Sequence, residues 1–339
     1  MKAAVINNDK IIIKDIDKPK LLLNGALVKV LGCGLCGSDI VKFQHKISKD
    51  GDVLGHEIVG EIVELKTSKP TEFKVGDKIV MGHHYPCFEC VYCKGENYSM
   101  CKTFKESNIF PGGFAEYILA DEKHLSHTMF KIPQNLSEIE ASFMEPLSCC
   151  IRAVRRAELK PNSKVLVIGL GSIGFLMGQA LRAYGHIVVG TDLSDERLSL
   201  AKNNGFNYTV KSALDSQLTA SEIKKLTQQE GVDAVFMASG SDKTFDLCLK
   251  SIRNGGTILI FSSVPNEAAG FLNNDIYYRE LKVMGSYSPA PCDIAQSMEF
   301  LKSGQVKVKN ITTEYSLAQL QQAIDDTLAH KIFKAYITL

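Results

Sequence analysis

Four cysteines lie close together in this sequence, with the spacing Cys87-x2-Cys90-x2-Cys93-x7-Cys101. Gaps of two residues let neighbouring thiolates converge on one tetrahedral ion, and the longer gap returns the fourth sulfur. Four sulfur ligands with no open position are typical of structural zinc sites and not of catalytic ones. Four unrelated core cysteines, or a disulfide pair, are a weaker reading because the segment is polar and too short to bury four thiols separately. The spacing therefore predicts a structural zinc lobe at 87–101.

A glycine-rich turn between an apolar run and a helical pattern is the second chemical signature. The turn reads Gly169-Leu170-Gly171-Ser172-Ile173-Gly174. Gly169 permits the tight turn, Gly171 lets the backbone approach a pyrophosphate, and Gly174 allows close helix–strand packing. The free N–H groups of the helix start, at Ser172 and Ile173, would receive the phosphates. This turn predicts a dinucleotide-binding fold.

Asp192 ends the next apolar run, near the ~20-residue distance expected for the acid that binds the cofactor ribose. Its carboxylate would accept hydrogen bonds from both ribose hydroxyls and repel a 2′-phosphate, so NAD is favoured over NADP. Arg197 lies five residues further on and would partly offset this repulsion. The alternative role for Asp192 is an N-cap of the helix that begins near Ser194.

Two shorter motifs, Gly34-Leu35-Cys36-Gly37-Ser38-Asp39 and Gly55-His56-Glu57, lie in the first part of the chain. Each is a modest signal alone. Cys33 and Cys36 also have the two-residue spacing of a redox dithiol. Such pairs open a helix in an α/β fold, whereas this pair follows a predicted strand in a β-rich region, so a redox role is disfavoured. A single histidine such as His56 is more often structural than a metal ligand.

Together these motifs resemble the zinc-dependent medium-chain alcohol dehydrogenase family, and the resemblance covers essentially the whole chain. The motifs follow the order of that family: catalytic cysteine, Gly-His-Glu, four-cysteine lobe, Glu-Pro segment and nucleotide fold. The polyol dehydrogenases, which act on sorbitol and on sugar-alcohol phosphates, are the most similar branch. Glu145-Pro146-Leu147-Ser148 resembles their glutamate motif, and Arg279-Glu280 falls where related enzymes carry a basic-acidic pair.

The resemblance implies two zinc ions per chain, one structural and one catalytic. It implies that Cys36 and His56 bind the catalytic zinc, with either Glu57 or Glu145 as the third protein ligand. Three protein ligands leave a fourth position for water or substrate, as catalysis requires. If Glu145 is not a ligand, it would hydrogen-bond the zinc-bound water.

The activity implied by the resemblance is reversible oxidation of a secondary alcohol of a polyol or sugar alcohol to a ketone, with NAD as the hydride acceptor. The sorbitol-type pattern carries a proton-relaying histidine five positions after the catalytic cysteine, whereas this chain has Val41. His45 is displaced by four residues, so we expect Ser38, with the ribose hydroxyl and water, to pass the proton outward.

An amino-alcohol of the threonine type or a cyclitol is the alternative substrate. A non-catalytic NAD-binding protein is the alternative of another class.

The elements that must position these residues fall into two groups. Residues 1–150 contain short apolar or β-branched runs at 3–6, 11–13, 26–31, 58–65 and 78–81. Strand and helix patterns alternate from residue 164, with strands at 165–168, 187–191, 234–238, 257–261 and 281–284, and helices at 173–184, 194–203, 222–229 and 243–253. Helical patterns at 137–156, 294–302 and 317–328 lie on either side of this alternating region. Strands that are apolar throughout and joined by helices predict a parallel sheet covered on both faces.

The predicted fold is therefore α/β, with a Rossmann-type parallel-sheet domain and a β-rich, GroES-like barrel domain. We expect residues 1–150 and 287–339 to form the GroES-like catalytic domain, which includes the structural zinc lobe. Residues 151–286 are expected to form the dinucleotide-binding domain. Two domains also fit a length of 339 residues.

Composition excludes other classes of function. The formal net charge is +1, with 39 basic and 38 acidic residues, so no global field would attract nucleic acid, and a nucleic-acid zinc ribbon is disfavoured. The start of the chain does not have the form of a signal peptide, and the apolar run 165–181 carries glycines at turn spacing, so no membrane association is expected. Ten cysteines without a small disulfide-rich pattern predict reduced thiols and a cytoplasmic location. The family resemblance implies a homodimer or homotetramer that acts on a small-molecule alcohol.

Overall fold

The structure is a computed structural model that describes residues 1–8, 10–228, 230–240, 242–262, 273–309 and 311–339. The chain divides into two compact units. The first unit comprises Met1–Glu145, Ala290–Lys302 and Val308–Leu339, and the second comprises Pro146–Pro289 and Ser303–Lys307. The predicted domain limits, after residues 150 and 286, lie a few residues from these divisions and stay a prediction.

Strands and helices follow one another along the described chain. In chain order the strands are β1 Lys2–Asn7, β2 Lys10–Asp15, β3 Gly25–Gly34, β4 Glu57–Lys66, β5 Lys78–Met81, β6 Tyr117–Asp121, β7 Met129–Lys131, β8 Lys164–Ile168, β9 Ile187–Asp192, β10 Tyr208–Lys211, β11 Val232–Met237, β12 Ile252–Ile260, β13 Lys282–Gly285, β14 Thr312–Ser316 and β15 Lys334–Thr338. The helices are α1 Gly37–Gln44, α2 Val91–Lys94, α3 Lys102–Glu106, α4 Glu122–His127, α5 Glu138–Ser142, α6 Met144–Ala157, α7 Ser172–Ala183, α8 Asp195–Asn203, α9 Ser216–Thr227, α10 Asp242–Ser251, α11 Asn273–Tyr278, α12 Pro291–Lys302 and α13 Leu320–Leu328.

The first unit is built on a mainly antiparallel sheet of order β14-β15-β3-β4-β5-β7, and β6 pairs with β3 outside this path. Strands β1 and β2 form a separate antiparallel pair. Side chains that point into this unit are apolar and buried, among them Val28, Ile58, Ile62, Ile79 and Phe114. Burial of such apolar side chains is the main stabilisation of the sheet, and it fixes which face of each strand is turned inward.

The pairing register of β3 brings three distant segments to one end of this sheet. Gly34, the last residue of β3, is opposite Glu57, the first residue of the antiparallel strand β4. On its other side, Gly34 is opposite Tyr336 of β15. Residues just after β3, just before β4 and at the start of β15 are therefore neighbours in space.

The second unit contains a parallel six-stranded sheet of order β10-β9-β8-β11-β12-β13. If these six strands are numbered 1 to 6 along the chain, their order across the sheet is 3-2-1-4-5-6, which is the order of a Rossmann fold. The interiors of β8, β9 and β11 are almost entirely buried, as expected for strands with helices on both faces. In such a sheet, ligands bind where the strand order reverses, which here is the carboxyl end of β8.

Several predicted elements differ in detail. The helix predicted at 137–156 is two helices, α5 and α6, because Phe143 ends the first of them. The helix predicted at 243–253 ends at Ser251, since the chain continues directly into β12. The helix predicted at 222–229 begins earlier, at Ser216, after the N-cap Asp215, and residue 229 lies outside the described part. The short strand β10 was absent from the prediction because Tyr208–Lys211 is polar and half exposed.

The apolar run 165–181 forms β8 and most of α7, as its glycine spacing predicted. No helix in the described residues is long and apolar enough to cross a membrane.

Candidate metal centres and nucleotide site

Three predicted metal ligands converge at the end of the first sheet. One donor atom each from Cys36, His56 and Glu57 lies within 4.8 Å of the other two, and we call these residues the catalytic cluster. Cys36 is the N-cap of α1, whereas His56 directly precedes β4 and Glu57 is the first residue of that strand. The antiparallel register of β3 and β4 thus brings together donors that are separated by a loop. A thiolate, an imidazole and a carboxylate form a donor set that suits zinc.

A buried aspartate orients the histidine of this cluster. Asp39 is 2% exposed, and its Oδ1 lies 3.2 Å from His56 Nδ1. Its two oxygens also accept the N–H groups of Cys36, at 3.2 Å, and Gly55, at 3.3 Å. Because Nδ1 faces Asp39, Nε2 is the nitrogen left for a metal. Asp39 belongs to a motif singled out in the sequence, but its role had not been predicted.

The charges in this network are mutually stabilising. Burial acts to raise the pKa of Asp39, but His56, the backbone N–H of Cys36 and Lys42 together lower that pKa. Burial acts to lower the pKa of His56, yet Asp39 and Cys36 together raise it well above its usual value. A metal binds only the deprotonated nitrogen, so a zinc ion and a proton would compete for this imidazole.

The carboxylate of Glu57 is completely buried and pairs with a lysine from the end of the chain. Lys334 Nζ lies 2.7 Å from Oε1 and 2.5 Å from Oε2, and it also donates to the carbonyl of Leu35 at 3.0 Å. Burial acts to lower the pKa of Lys334, but Glu57 is the main cause of its net rise. A Cβ at Gly34 would lie 1.9 Å from Glu57 Oε2, so the absence of a side chain there makes room for the carboxylate.

The other residues predicted to take part in catalysis lie outside the catalytic cluster. Glu145 is buried in the first turn of α6, outside the group of three described donors that converge within 4.8 Å. Its charge nevertheless contributes to the raised pKa of Lys334, after the larger effects of burial and of Glu57. Ser38 is exposed at the start of α1, and His45 is exposed at the opposite end of that helix. Glu57 and Glu145 both remain predictions for the third ligand.

The four cysteines of the predicted lobe form a second cluster, which we call the cysteine cage. Their sulfur atoms all lie within 4.8 Å of one another, with 3.8 Å between Cys87 and Cys93 and 3.6 Å between Cys90 and Cys93. A disulfide would need about 2.05 Å, whereas a tetrahedral zinc with bonds of about 2.3 Å separates its sulfurs by about 3.8 Å. The spacing in the cage therefore fits a zinc ion.

Backbone amides support the sulfur atoms of the cage. The N–H groups of Glu89 and Cys90 point to Cys87 Sγ at 3.5 and 3.4 Å, and these bonds are the main cause of the lowered Cys87 pKa. Burial acts to raise the pKa of Cys101, but donation from Cys87 N–H and other bonds lowers it to about 6. Burial raises the pKa of Cys93 to about 12, so zinc binding would have to release a proton there.

The predicted glycine turn joins β8 to α7 in the second unit. Gly169 has a φ of +86°, in the left-handed region that favours glycine. A Cβ at Gly174 would lie 1.8 Å from the carbonyl oxygen of Gly169, so the helix could not pack as closely with any larger residue. Gly171 is the N-cap of α7 and has open space where its Cβ would be. The N–H groups of Ser172 and Ile173 lie in the first turn of that helix, where anions bind.

Asp192 ties the end of β9 to this turn. Its Oδ2 accepts the N–H of Leu170 at 2.7 Å, and its Oδ1 accepts the N–H of Ser194 at 2.9 Å. Arg197 Nη1 lies 3.7 Å from the same carboxylate. The N-cap of α8 is Ser194, so the alternative role predicted for Asp192 is filled by its neighbour.

Both parts of the chain match known protein families. Residues 24–134 match the alcohol dehydrogenase GroES-like domain, and residues 172–303 match the zinc-binding dehydrogenase domain. The chain is 32% identical over 342 residues to sorbitol dehydrogenase of Bacillus subtilis (strain 168), with 98% of this chain and 94% of that protein covered. It is 30% identical over 337 residues to D-arabitol-phosphate dehydrogenase of Enterococcus avium, with 97% and 94% covered. The solved structure of a zinc-binding dehydrogenase from Sinorhizobium meliloti 1021 bound to NADP has a TM-score of 0.87 at 26% identity, covering 100% of this chain and 99% of the other.

A Rossmann-type sheet with a glycine turn, together with a thiolate–imidazole–carboxylate cluster, defines a zinc-type, nicotinamide-dependent dehydrogenase. The chain belongs to the zinc-binding alcohol dehydrogenase family. It is an oxidoreductase that acts on CH–OH groups of a small-molecule alcohol. The predicted family and the predicted fold class, with its GroES-like and Rossmann-type parts, are confirmed.

Proposed function

We propose that this chain reversibly oxidises a secondary alcohol of a polyol or sugar alcohol to a ketone, with NAD as the hydride acceptor. The observation that carries the proposal is the convergence of Cys36, His56 and Glu57 in a chain that also forms a glycine turn. Full-length similarity to enzymes named sorbitol dehydrogenase and D-arabitol-phosphate dehydrogenase supports the polyol as the substrate class.

The catalytic cluster would hold one zinc ion. As a Lewis acid, this ion would lower the pKa of a bound alcohol hydroxyl. Asp39 holds the His56 ring with its Nε2 directed away from the hydrogen bond at Nδ1. Lys334 balances the charge of Glu57, and both side chains are buried. Ser38, which is exposed on the first turn of α1, would pass the proton to solvent together with the ribose hydroxyl and water.

For the third ligand, we propose Glu57, with Glu145 as the alternative. The Glu57 carboxylate lies within 4.8 Å of the donor atoms of Cys36 and His56. Glu145 would then hydrogen-bond a water molecule in the open position. The cysteine cage would hold the second zinc ion, and its sulfur spacing of 3.6–3.8 Å supports this assignment.

We further propose NAD in preference to NADP. When bound, the nicotinamide accepts the hydride. The carboxylate of Asp192 lies at the carboxyl end of β9, where it would repel a 2′-phosphate. Arg197, at 3.7 Å, weakens this repulsion, so the preference should be moderate. A homodimer or homotetramer in the cytoplasm, with domain limits after residues 150 and 286, completes the proposal.

The test is a panel of alcohols with NAD and with NADP, measured on protein with known zinc content by the absorbance of the reduced cofactor. Sorbitol, arabitol, sugar-alcohol phosphates, threonine and myo-inositol cover the proposed substrates and the alternatives. We expect turnover of at least one polyol, faster with NAD than with NADP, and two zinc ions per chain. Cys36→Ser is the matched control, because it should lose one zinc and all turnover but keep the cage zinc. A protein with both metals that oxidises no alcohol would contradict the proposal.

A further inference from the structure

A second histidine lies beside the catalytic cluster without belonging to it. His83 follows β5, and its ring centroid is 4.6 Å from that of His56, at an interplanar angle of 44°. The side chain is partly exposed, and neither ring nitrogen hydrogen-bonds any described residue. A polar ring beside a reaction centre, in a fixed place and without a protein partner, is available to a ligand.

The backbone holds His83 firmly in this place. Its carbonyl accepts the Nε2–H of the buried His124 at 3.0 Å, and the other nitrogen of His124 lies 3.0 Å from Asp121 Oδ1. The preceding residue, Gly82, donates its N–H to the carbonyl of Thr128 and accepts the hydroxyl of the same residue, both at 3.0 Å. The open ring nitrogens of His83 are therefore not a consequence of a loose segment.

The adjacent histidine has a different role. The His84 ring lies 3.9 Å from that of His83 and 5.0 Å from that of Phe104, in the apolar centre of the zinc lobe. Its Nδ1–H donates to the carbonyl of Ser107. His84 therefore uses its ring nitrogen within the lobe, whereas the ring nitrogens of His83 have no partner among the described residues.

We propose that His83 is a specificity-determining residue that hydrogen-bonds a second hydroxyl group of the substrate, next to the one that is oxidised. This inference rests on the proposed function. An imidazole can donate from one nitrogen and accept at the other, which suits a hydroxyl, itself both donor and acceptor. A simple alcohol has no group to fill this contact and leaves it to water. Discrimination by a matched polar contact is stronger than discrimination by shape alone.

The test compares 2,3-butanediol with 2-butanol, which differ by one neighbouring hydroxyl. The variant His83→Phe keeps an aromatic ring against His56 and His84 but removes the polar atoms. We expect the ratio of kcat/KM for the diol to that for the mono-alcohol to fall about tenfold, the effect of one hydrogen bond. His83→Gln, which restores a donor and an acceptor, should recover part of the ratio. His84→Phe should leave the ratio unchanged.

Binding provides a readout that does not depend on turnover. Calorimetry of the diol with the zinc-loaded protein and NADH, which cannot react together, should show about tenfold weaker binding for His83→Phe. Zinc content and the thermal unfolding midpoint of each variant show whether the protein is intact.

An unchanged ratio in His83→Phe overturns this inference alone. If kcat/KM falls equally for both alcohols, so that the ratio is kept, His83 only supports His56. If the wild-type protein carries both metals and oxidises no alcohol at all, the proposed function fails and this inference fails with it.

Discussion

At the scale of single residues, Asp39 supports the candidate metal donors without being one of them. Its two carboxylate oxygens reach the imidazole of His56 and the backbone N–H groups of Cys36 and Gly55. It therefore fixes the rotation of one donor residue and the backbone of another. Removal of such a supporting hydrogen bond commonly lowers metal affinity by about 10–100-fold.

We predict that Asp39→Asn weakens zinc binding at the catalytic cluster by about 10–100-fold and leaves the cage zinc bound. The amide keeps the shape of the side chain but loses the charge that pairs with the imidazole. Competition with a coloured chelator measures both affinities in one titration. Asp17→Asn, at an exposed position, is the control. Equal weakening of the two zinc ions would refute the assignment of Asp39 to one site.

Lys334 supports a second prediction at this scale. Lys334→Met leaves the fully buried Glu57 carboxylate without its partner, which should destabilise the metal-free protein by about 3–5 kcal/mol. If zinc is bound by Glu57, the ion supplies the missing positive charge, and the loss should be much smaller in the zinc-loaded protein. Denaturant unfolding with and without metal gives both values.

The double variant Lys334→Met with Glu57→Gln is the matched control, since it removes both charges and should recover part of the stability. A loss of equal size in the two metal states would favour Glu145 as the third ligand. No loss in either state would show that the pair contributes nothing to stability.

At the scale of elements, the cysteine cage holds together a segment that has little structure of its own. Helices α2 and α3 have four and five residues, lengths at which an isolated helix does not persist. The apolar interior of the lobe consists of Phe104 and the cysteines, with Tyr98 packed against them. In the proposed assignment, a bound zinc ion would take the place of the missing core.

We predict that Cys93→Ser lowers the zinc content from two ions to one and opens the lobe to proteases. Limited proteolysis followed by mass spectrometry should find the first cuts between residues 87 and 107. Cys292→Ser, at an exposed cysteine outside the lobe, should behave as wild type. Cuts that begin elsewhere in Cys93→Ser would contradict this account of the lobe.

The glycine turn gives a matched pair of substitutions. A Cβ at Gly174 meets the carbonyl oxygen of Gly169 at 1.8 Å, so Gly174→Ala should destabilise the protein by about 1–3 kcal/mol. A Cβ at Gly171 meets nothing within 4 Å, so Gly171→Ala should fold normally but bind NADH more weakly, because the methyl group obstructs the pyrophosphate. Thermal unfolding and NADH fluorescence separate the two effects. Full NADH affinity in Gly171→Ala would place the phosphates elsewhere.

The sequence predicted local features of these elements well and distant contacts poorly. The cysteine spacing and the glycine turn each act within a short stretch of chain, so residue types alone identify them. Lys334 lies 277 residues from Glu57 and sits in an ordinary-looking strand, so no local pattern reveals the pair. The break at Phe143 and the polar strand β10 depend on tertiary packing, which overrides local propensity.

At the scale of the whole molecule, the metal donors and the nucleotide turn belong to different compact units. The catalytic cluster and the cysteine cage lie in the first unit, and the glycine turn and Asp192 lie in the second. The second unit has an apolar core of its own, in which Leu166, Val189 and Val235 are fully buried. We therefore expect the nucleotide fold to stay folded when the metal donors are empty.

We predict that removal of both zinc ions abolishes alcohol oxidation but changes NADH affinity only a few-fold. Dialysis against a chelator, followed by fluorescence titration with NADH, tests this directly. Restoring zinc should bring back turnover without altering the NADH titration. Loss of NADH binding together with the metals would show that the second unit needs the first in order to stay folded.

The register between β3 and β4 has a practical consequence for protein engineering. Cys36 and His56 are held by the paired ends of two strands, and the 37–55 connection between them supplies Asp39 as a support but no metal donor. Residues 46–51 of that connection are largely solvent-exposed, and exposed loops accept insertions and deletions readily. Loops of other lengths grafted there should vary the surroundings of the candidate metal site and leave its donor residues in place.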